Sequence, residues 1–219
     1  MSSLNLSVFD APHKGIRNAF SIFLQELGHS DPSNEHSLNR LKTIGNDVFD
    51  LLIDHAENEE QCILQILEKK QSEIVKNDRE DHEKTEKMIL ILKDRLNSFS
   101  INSTSMDLYH YLLEFTKFQS IYLIHMVEEE TETQKQIEKH FTEIEMLEFH
   151  TNSTKRMLSN RRLLSLWFKY IFPARQVEDN REMLKLLKEN LPEEAFNIVE
   201  WSMKHAFLPI EYQEFVSKP

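Results

Sequence analysis

Glycine, proline and cysteine are scarce in this chain of 219 residues. It contains 3 Gly, 6 Pro and 1 Cys, and between Pro32 and Pro173 there is no further Pro and one Gly, Gly45. Because tight β-turns in quantity depend on Gly and Pro, a fold built of hairpins is disfavoured. The single Cys62 excludes an intramolecular disulfide framework and a Cys-rich zinc site. The remaining composition, with 29% charged and 40% hydrophobic residues, predicts an all-α protein.

Long apolar runs and positive charge are also lacking. No window approaches 18 apolar residues, and the first residues show no charged region followed by an apolar one. We therefore expect no membrane span and no export, and a cytoplasmic location. Lys plus Arg number 26 against 37 Asp plus Glu, a net charge of −11, which argues against nucleic acid as a partner because its phosphates would be repelled. No protein partner can be named from the sequence.

Apolar residues at spacings of three and four predict four long helices and three shorter ones. The first long helix begins near Asp10, where Asp-Ala-Pro supplies a cap, and ends before Gly28. The other long helices carry apolar stripes over 44–66, 75–96 and 108–129, and the shorter helices are predicted over 155–171, 177–190 and 193–206.

Each long stripe contains a histidine, and two stripes show the spacing His-x-x-x-Glu. Residues four apart lie one above the other on a helix, about 6 Å along its axis, so an imidazole and a carboxylate placed in this way can reach one metal centre. The third stripe repeats the spacing with His82 and Glu86. The candidate metal ligands are therefore His13, His55, Glu59, His82, Glu86, His125 and Glu129.

Four antiparallel helices bring these residues to one level only if each turn lies midway between consecutive histidines. The midpoints fall in 31–34, 68–72 and 102–105. The first and third ranges are polar and already predicted as turns. The second predicts a turn that neither Gly nor Pro marks, with Ser72 capping the next helix and Glu73 in its first turn.

The chemistry predicted from this register is a dinuclear metal site inside a four-helix bundle. Imidazole and carboxylate ligands suit iron or manganese, and the lack of thiolates disfavours an iron–sulfur cluster or structural zinc. Glu59 and Glu129 would bridge the two ions, the four histidines would be terminal ligands, and Glu86 could add one more. At least one position would stay open for dioxygen or another small diatomic ligand.

This order of residues resembles the hemerythrin-like, or HHE cation-binding, family, over about residues 13–129. The resemblance implies an up-down-up-down bundle with two iron ions in a non-haem Fe–O–Fe centre, for which manganese or zinc are possible substitutes. It further implies binding of oxygen, or sensing of oxygen, nitric oxide, redox state or iron. The segment from Trp167 to Phe196 also looks like the tail of bacterial single-domain members. We therefore expect a bundle domain over 1–150 and a helical extension packed on it over 151–219.

Two features depart from the oxygen-carrying hemerythrins. Glu86 stands where their third helix has a second His, and the spacing from His125 to Glu129 is shorter than their His-to-Asp spacing. An added carboxylate would favour the ferric pair, and so a sensor, an iron-handling protein or a centre that consumes oxygen, peroxide or nitric oxide over a reversible oxygen carrier. A helical interaction module with a structural metal site is a further alternative. Whether the protein is an enzyme stays open, and no catalytic residue is assigned.

Two further features have alternative interpretations. Tyr122, one turn before His125, could donate a hydrogen bond to a bound small molecule, but a packed aromatic ring with a satisfied hydroxyl is favoured. Residues 155–175 contain six basic and no acidic side chains. They could bind a membrane surface or an anionic partner, although docking of these cations on the acidic bundle is favoured.

Overall fold

A computed structural model of the chain describes residues 7–70 and 72–206, apart from the side chains of residues 72–74, 190, 205 and 206. In these ranges every regular element is helical, which confirms the all-α prediction. The α-helices are α1 (Asp10–His29), α2 (Glu35–Glu59), α3 (Gln65–Leu67), α4 (Ser72–Ser98), α5 (Ser105–Glu128), α6 (Gln134–His140), α7 (Glu143–Ser159), α8 (Arg161–Leu166), α9 (Val177–Asn190) and α10 (Glu193–Ala206). Three π-helical turns (Glu60–Leu64, Glu129–Thr133 and Trp167–Ile171) and one 3-10 turn (Phe172–Ala174) join some of them.

The long helices α1, α2, α4 and α5 form an up-down-up-down bundle in which each helix packs against the next and α5 returns to α1. Aromatic rings fill much of its core, and Phe23 contacts Phe115 edge to face with ring centroids 4.7 Å apart. Close helix packing depends on Gly45 in α2, since a Cβ there would collide with Leu96 and lie 2.7 Å from Phe23. The predicted bundle is confirmed.

The turns lie where the histidine spacing predicts them. Helix α1 ends at His29 and α2 begins at Glu35, and α4 ends at Ser98 and α5 begins at Ser105. The unmarked turn is also present, because α3 ends at Leu67, α4 begins at Ser72, and the Lys70 amide donates to the Leu67 carbonyl at 2.8 Å. The predicted cap concerns the side chains of Ser72 and Glu73, which lie outside the described residues.

The predicted cap of α1 is wrong. The helix begins at Asp10, but the residue before it is Phe9, and no side chain there caps a backbone amide. The Asp10 carboxylate instead lies 2.8 Å from Lys14 Nζ, one turn into the helix. Phe9 is buried against His13, with ring centroids 5.3 Å apart, so burial of the aromatic ring sets where this helix starts.

A second apolar cluster closes one end of the bundle. It includes Cys62, which is buried, and Phe149 of α7. Helix α7 was not predicted over its full length, and the expected domain boundary between residues 150 and 151 falls inside it. A capping box in which Thr142 and Glu145 exchange hydrogen bonds marks its start, and this Thr-x-x-Glu pattern is readable in the sequence.

The extension docks on α2 through its cations. Lys169 Nζ lies 2.6 Å from the buried carboxylate of Asp47, and Arg162 pairs with both Asp47 and Asp50. Arg156 contacts Asp54 in the same way. The prediction that basic residues of 155–175 dock on the acidic bundle is confirmed for these three side chains.

The C-terminal helices have an apolar core of their own, formed by Leu164, Phe168, Phe172, Leu187, Val199 and Met203. The extension also approaches α1 closely at Gly15, where a Cβ would lie 2.6 Å from the Ile171 Cα. None of the helices within residues 7–70 and 72–206 combines the length and apolarity that a membrane crossing needs.

Candidate metal centre

Six of the seven candidate ligands converge between the two apolar clusters of the bundle. They form two groups that share both carboxylates, and within each group one ligand atom of every residue lies within 4.8 Å of the others. One group contains His13 and His55, and the other contains His82 and His125. The shared residues are Glu59, the last residue of α2, and Glu129, the first residue after α5.

In both Glu59 and Glu129, one carboxylate oxygen lies beside a histidine of the first group and the other oxygen lies beside a histidine of the second group. Glu59 Oε1 lies 3.1 Å from His55 Nε2, and Glu59 Oε2 lies 3.2 Å from His82 Nε2. Glu129 Oε2 lies 3.3 Å from His13 Nε2, and Glu129 Oε1 lies 3.2 Å from His125 Nε2. This is the arrangement that two carboxylates bridging two cations require.

Several donor atoms of the site are buried without a hydrogen bond. Both oxygens of Glu59, one oxygen of Glu129 and the Nε2 atoms of His82 and His125 have no hydrogen-bond partner among the described residues. Buried polar atoms are rarely left in this way, and buried carboxylates least of all. Cations at the two groups would satisfy these atoms, and an all-nitrogen and oxygen donor set suits iron, manganese or zinc. The residues therefore fit a dinuclear metal site.

Charge within the site is balanced by protons when no cation is bound. Burial would lower the pKa of His13, but Glu129, Glu130 and Glu59 outweigh it and raise that pKa to about 10. Burial acts on His82 in the same way, and Glu129 and Glu59 raise its pKa to about 10. Metal ligands must be deprotonated imidazoles, so cations would replace protons here.

His55 and Glu59 already have the protonation states that metal binding requires. Burial lowers the pKa of His55 to about 4, which keeps the imidazole neutral. Burial would raise the pKa of Glu59, but the imidazoles of His55, His13 and His82 hold it well below its usual value. A neutral imidazole and an ionised carboxylate are the forms that coordinate a cation.

Sequence reasoning missed the residues that orient His13. Glu130 Oε1 lies 2.8 Å from His13 Nδ1, and Arg17 donates to both oxygens of Glu130 at 2.7 and 3.0 Å. Contact with His13 lowers the pKa of Glu130 to about 2, and Arg17 adds to this effect against partial burial. The ionised carboxylate can only accept, so His13 carries its proton on Nδ1 and directs Nε2 to the centre. Arg17 lies one helical turn after His13 in the sequence, and this spacing could have indicated that charged residues orient the histidine.

A second buried polar pair lies one helical turn from the site. Thr133 Oγ1 donates to Asp78 Oδ2 at 3.0 Å, and both side chains are buried. Burial, together with the charge of Glu129, raises the pKa of Asp78 to about 7. Asp78 precedes His82 by four residues, and Thr133 follows Glu129 by four, so the pair connects the two helices beside the centre.

Both shared carboxylates lie where an α-helix changes to a π-helical turn. Glu59 directly precedes the turn Glu60–Leu64, and Glu129 opens the turn Glu129–Thr133. Single π-helical turns occur frequently at functional sites because the wider turn re-aims the side chains that follow. Nothing in the His-x-x-x-Glu spacing indicates these turns.

The structure does not bring Glu86 to the centre. Its side chain is exposed, it belongs to neither group, and it lies on the rim of a cleft of about 340 Å³ between α2 and α4. The inner wall of the same cleft includes His82 and Tyr122. Tyr122 is buried, but its hydroxyl has no hydrogen-bond partner among the described residues. The predicted satisfied hydroxyl is therefore wrong.

Comparison with known proteins gives one match. A search of curated proteins and a search of solved structures each found nothing that matches this chain. The family model described as the hemerythrin HHE cation-binding domain matches residues 4–137, which is more than half of the chain. All six converging residues lie in that range. The chain therefore belongs to the hemerythrin HHE cation-binding domain family.

Proposed function

We propose that the protein holds two iron ions in a non-haem centre and binds a small molecule there, such as oxygen or nitric oxide, as a sensor. The observation that carries the proposal is the division of each carboxylate between two pairs of histidines. Glu59 faces His55 with one oxygen and His82 with the other, and Glu129 is divided in the same way. One ion would lie in each group.

Coordination counting supports a centre that binds an exogenous ligand. Four imidazole nitrogens and four carboxylate oxygens fill eight positions, whereas two octahedral ions offer about twelve. The free positions suit water, a bridging oxygen or a small diatomic molecule. When bound, the metal pair would supply redox chemistry and Lewis acidity to such a ligand, while the surrounding side chains hold the ions and exclude bulk water.

The preference for a ferric pair depended on Glu86 as an additional anionic ligand, but this side chain is exposed and lies outside both groups. A sensing role is favoured instead by the docked extension. Arg156 of α7 contacts Asp54, the residue directly before His55, and also lies 2.7 Å from Glu57. A change at the metal centre would therefore act on a contact that holds the extension.

Metal analysis of the purified protein tests the proposal. Protein produced with iron is expected to contain two iron ions per chain and to show the near-ultraviolet charge-transfer absorption of a ferric pair. Competition among iron, manganese and zinc identifies the preferred ion. Absence of bound metal, with the chain folded by circular dichroism, would contradict the proposal.

An oxidoreductase that consumes oxygen, peroxide or nitric oxide is the second candidate. The open cleft that reaches His82 favours it, because turnover requires exchange of substrate and product. Catalytic consumption of one of these molecules by the reduced protein, lost in His55→Ala, would establish an enzyme. Stoichiometric binding without turnover would favour the sensor.

A further inference from the structure

The two halves of the metal centre differ in their access to solvent. His13 is fully buried, stacked on Phe9 and held by Glu130. The cleft between α2 and α4 reaches the other half, where the His82 side chain is 12% exposed. A molecule that enters through this cleft would therefore meet the half of the centre formed by His82 and His125.

The inner part of the cleft is apolar and small. Leu52, Ile53, Ala56 and Ile89 line it, together with the polar residues His82, Thr85 and Tyr122. A volume of about 340 Å³ is at the low end of the range for ligand pockets. This wall suits a molecule with little polarity rather than one that needs many hydrogen bonds.

Tyr122 is one of the residues that line the cleft, and it carries a buried hydroxyl. Its ring is held by Phe20, Phe118 and His125, with ring centroids 5.8, 5.6 and 5.8 Å away. The residue is 1% exposed, and its hydroxyl has no hydrogen-bond partner among the described residues. A buried hydroxyl without a partner is free to donate a hydrogen bond to a molecule that reaches the inner part of the cleft.

The acidic side chains at the rim of the cleft disfavour the entry of anions. Glu57, Glu60, Glu83 and Glu86 lie there with one cation, Arg79. Arg79 donates to both oxygens of Glu60 at 2.9 and 2.8 Å, so its charge is neutralised locally. The remaining negative field repels anions and does not oppose a neutral molecule.

We propose that a small neutral molecule that accepts a hydrogen bond, of the class of dioxygen or nitric oxide, enters through this cleft and is held at the His82 and His125 half by Tyr122. The inference rests on the proposed function, because the ligand binds to a metal that these histidines hold. Tyr122 is on this view a ligand-positioning residue, and Ala56 marks the path of entry.

Nitric oxide binding to the reduced, iron-loaded protein tests the role of Tyr122. Tyr122→Phe should keep the iron content and weaken nitric oxide binding about tenfold, the effect of one hydrogen bond, mainly through faster dissociation. Tyr111→Phe is the matched control, since the hydroxyl of this buried tyrosine donates to the Leu92 carbonyl at 3.0 Å, away from the cleft. Unchanged nitric oxide affinity in Tyr122→Phe would overturn the inference, as would loss of iron, which would make Tyr122 a metal ligand or a packing residue.

The path of entry is tested by filling the cleft. Ala56→Phe should slow nitric oxide association at least severalfold without changing the iron content, whereas Thr116→Phe, on the exposed face of α5, should not. Equal association rates in both variants would show that the ligand enters elsewhere.

Glu83→Gln combined with Glu86→Gln should raise the association rate of azide relative to nitric oxide at low salt. These outcomes are separate from failure of the proposed function, in which the unmodified protein itself binds no iron.

Discussion

Nδ1 of His13 lies 2.8 Å from Oε1 of Glu130, a carboxylate that follows directly after a residue of the metal centre. Arg17 donates to both oxygens of this carboxylate, which fixes its orientation beside the imidazole. A ligating histidine typically has its second nitrogen fixed by such a partner, which sets its tautomer and orientation. Two adjacent acidic residues therefore have different tasks, with Glu129 in the centre and Glu130 behind His13.

Replacement of Glu130 by Gln should weaken metal binding without unfolding the chain. The amide keeps the size of the side chain but removes the charge that orients His13, so we expect a loss of metal affinity of about 10- to 100-fold. Competition with a chelator measures it. Glu128→Gln is the control, because Glu128 is exposed and belongs to neither metal group. Equal losses in the two variants would assign the effect to net charge.

Substitution of the shared carboxylates should remove metal, and substitution of Glu86 should not. Glu59→Gln or Glu129→Gln deletes an anionic oxygen that serves both groups, so we expect the iron content to fall from two ions per chain to one or none. Glu86→Gln alters an exposed side chain and should retain both. Elemental analysis measures the iron content of these variants. Loss of iron in Glu86→Gln would show that this residue reaches the centre when metal binds.

The ion pairs of Asp50 should make stability depend on pH in acid. Burial would raise the pKa of Asp50, but Lys93 and Arg162 outweigh it and hold the pKa below the usual 3.8. A lowered folded-state pKa stabilises the protein above the unfolded value, and this contribution is lost as the pH falls through the folded value.

Asp50→Asn should therefore be less stable than the unmodified protein at pH 7, and the difference should shrink below about pH 4. Urea unfolding of the metal-free proteins at a series of pH values measures it, with 0.5 M salt added to confirm an electrostatic origin. Glu35→Gln, an exposed change in the first turn of α2, controls for general charge. A difference independent of pH would contradict this prediction.

Gly15 and Gly28 of α1 should respond oppositely to alanine. A Cβ at Gly15 would lie 2.6 Å from the Ile171 Cα, whereas a Cβ at Gly28 meets nothing within 4 Å. Alanine gains about 1 kcal/mol of helix propensity at either position, but a clash with backbone costs about 1–3 kcal/mol. Gly15→Ala should therefore lower the free energy of unfolding, and Gly28→Ala should raise it or leave it unchanged. Thermal unfolding measures the stability of the two variants. Stabilisation by both substitutions would show that the extension moves away from α1 without cost.

Local periodicity was sufficient for most of the fold. The stripe around His55 and the polar segment at 102–105 are local features, so the long helices and their turns could be predicted. The antiparallel arrangement then fixed the turn at 68–72, since residues at one level must be equidistant from the turn between them. The first part of helix α7 was not predicted, although Thr142 and Glu145 signal its start.

The repeated His-x-x-x-Glu spacing predicted only part of the site. His82 and Glu86 have the same spacing as His55 and Glu59, yet Glu86 is exposed. Both pairs lie in regular α-helix, so the spacing alone does not distinguish them. The buried face of α4 continues from His82 to Thr85 and Ile89, which leaves Glu86 exposed.

The sequence by itself determined an all-helical chain, the order of the histidines and the single level at which they meet, because these follow from the 3.6-residue period and from chain reversal. Only the tertiary structure decided that Glu130 rather than Glu86 supports the centre, and that the buried hydroxyl of Tyr122 has no hydrogen-bond partner among the described residues. Those outcomes depend on how four helices are rotated and spaced against each other, and burial across the whole bundle sets that arrangement.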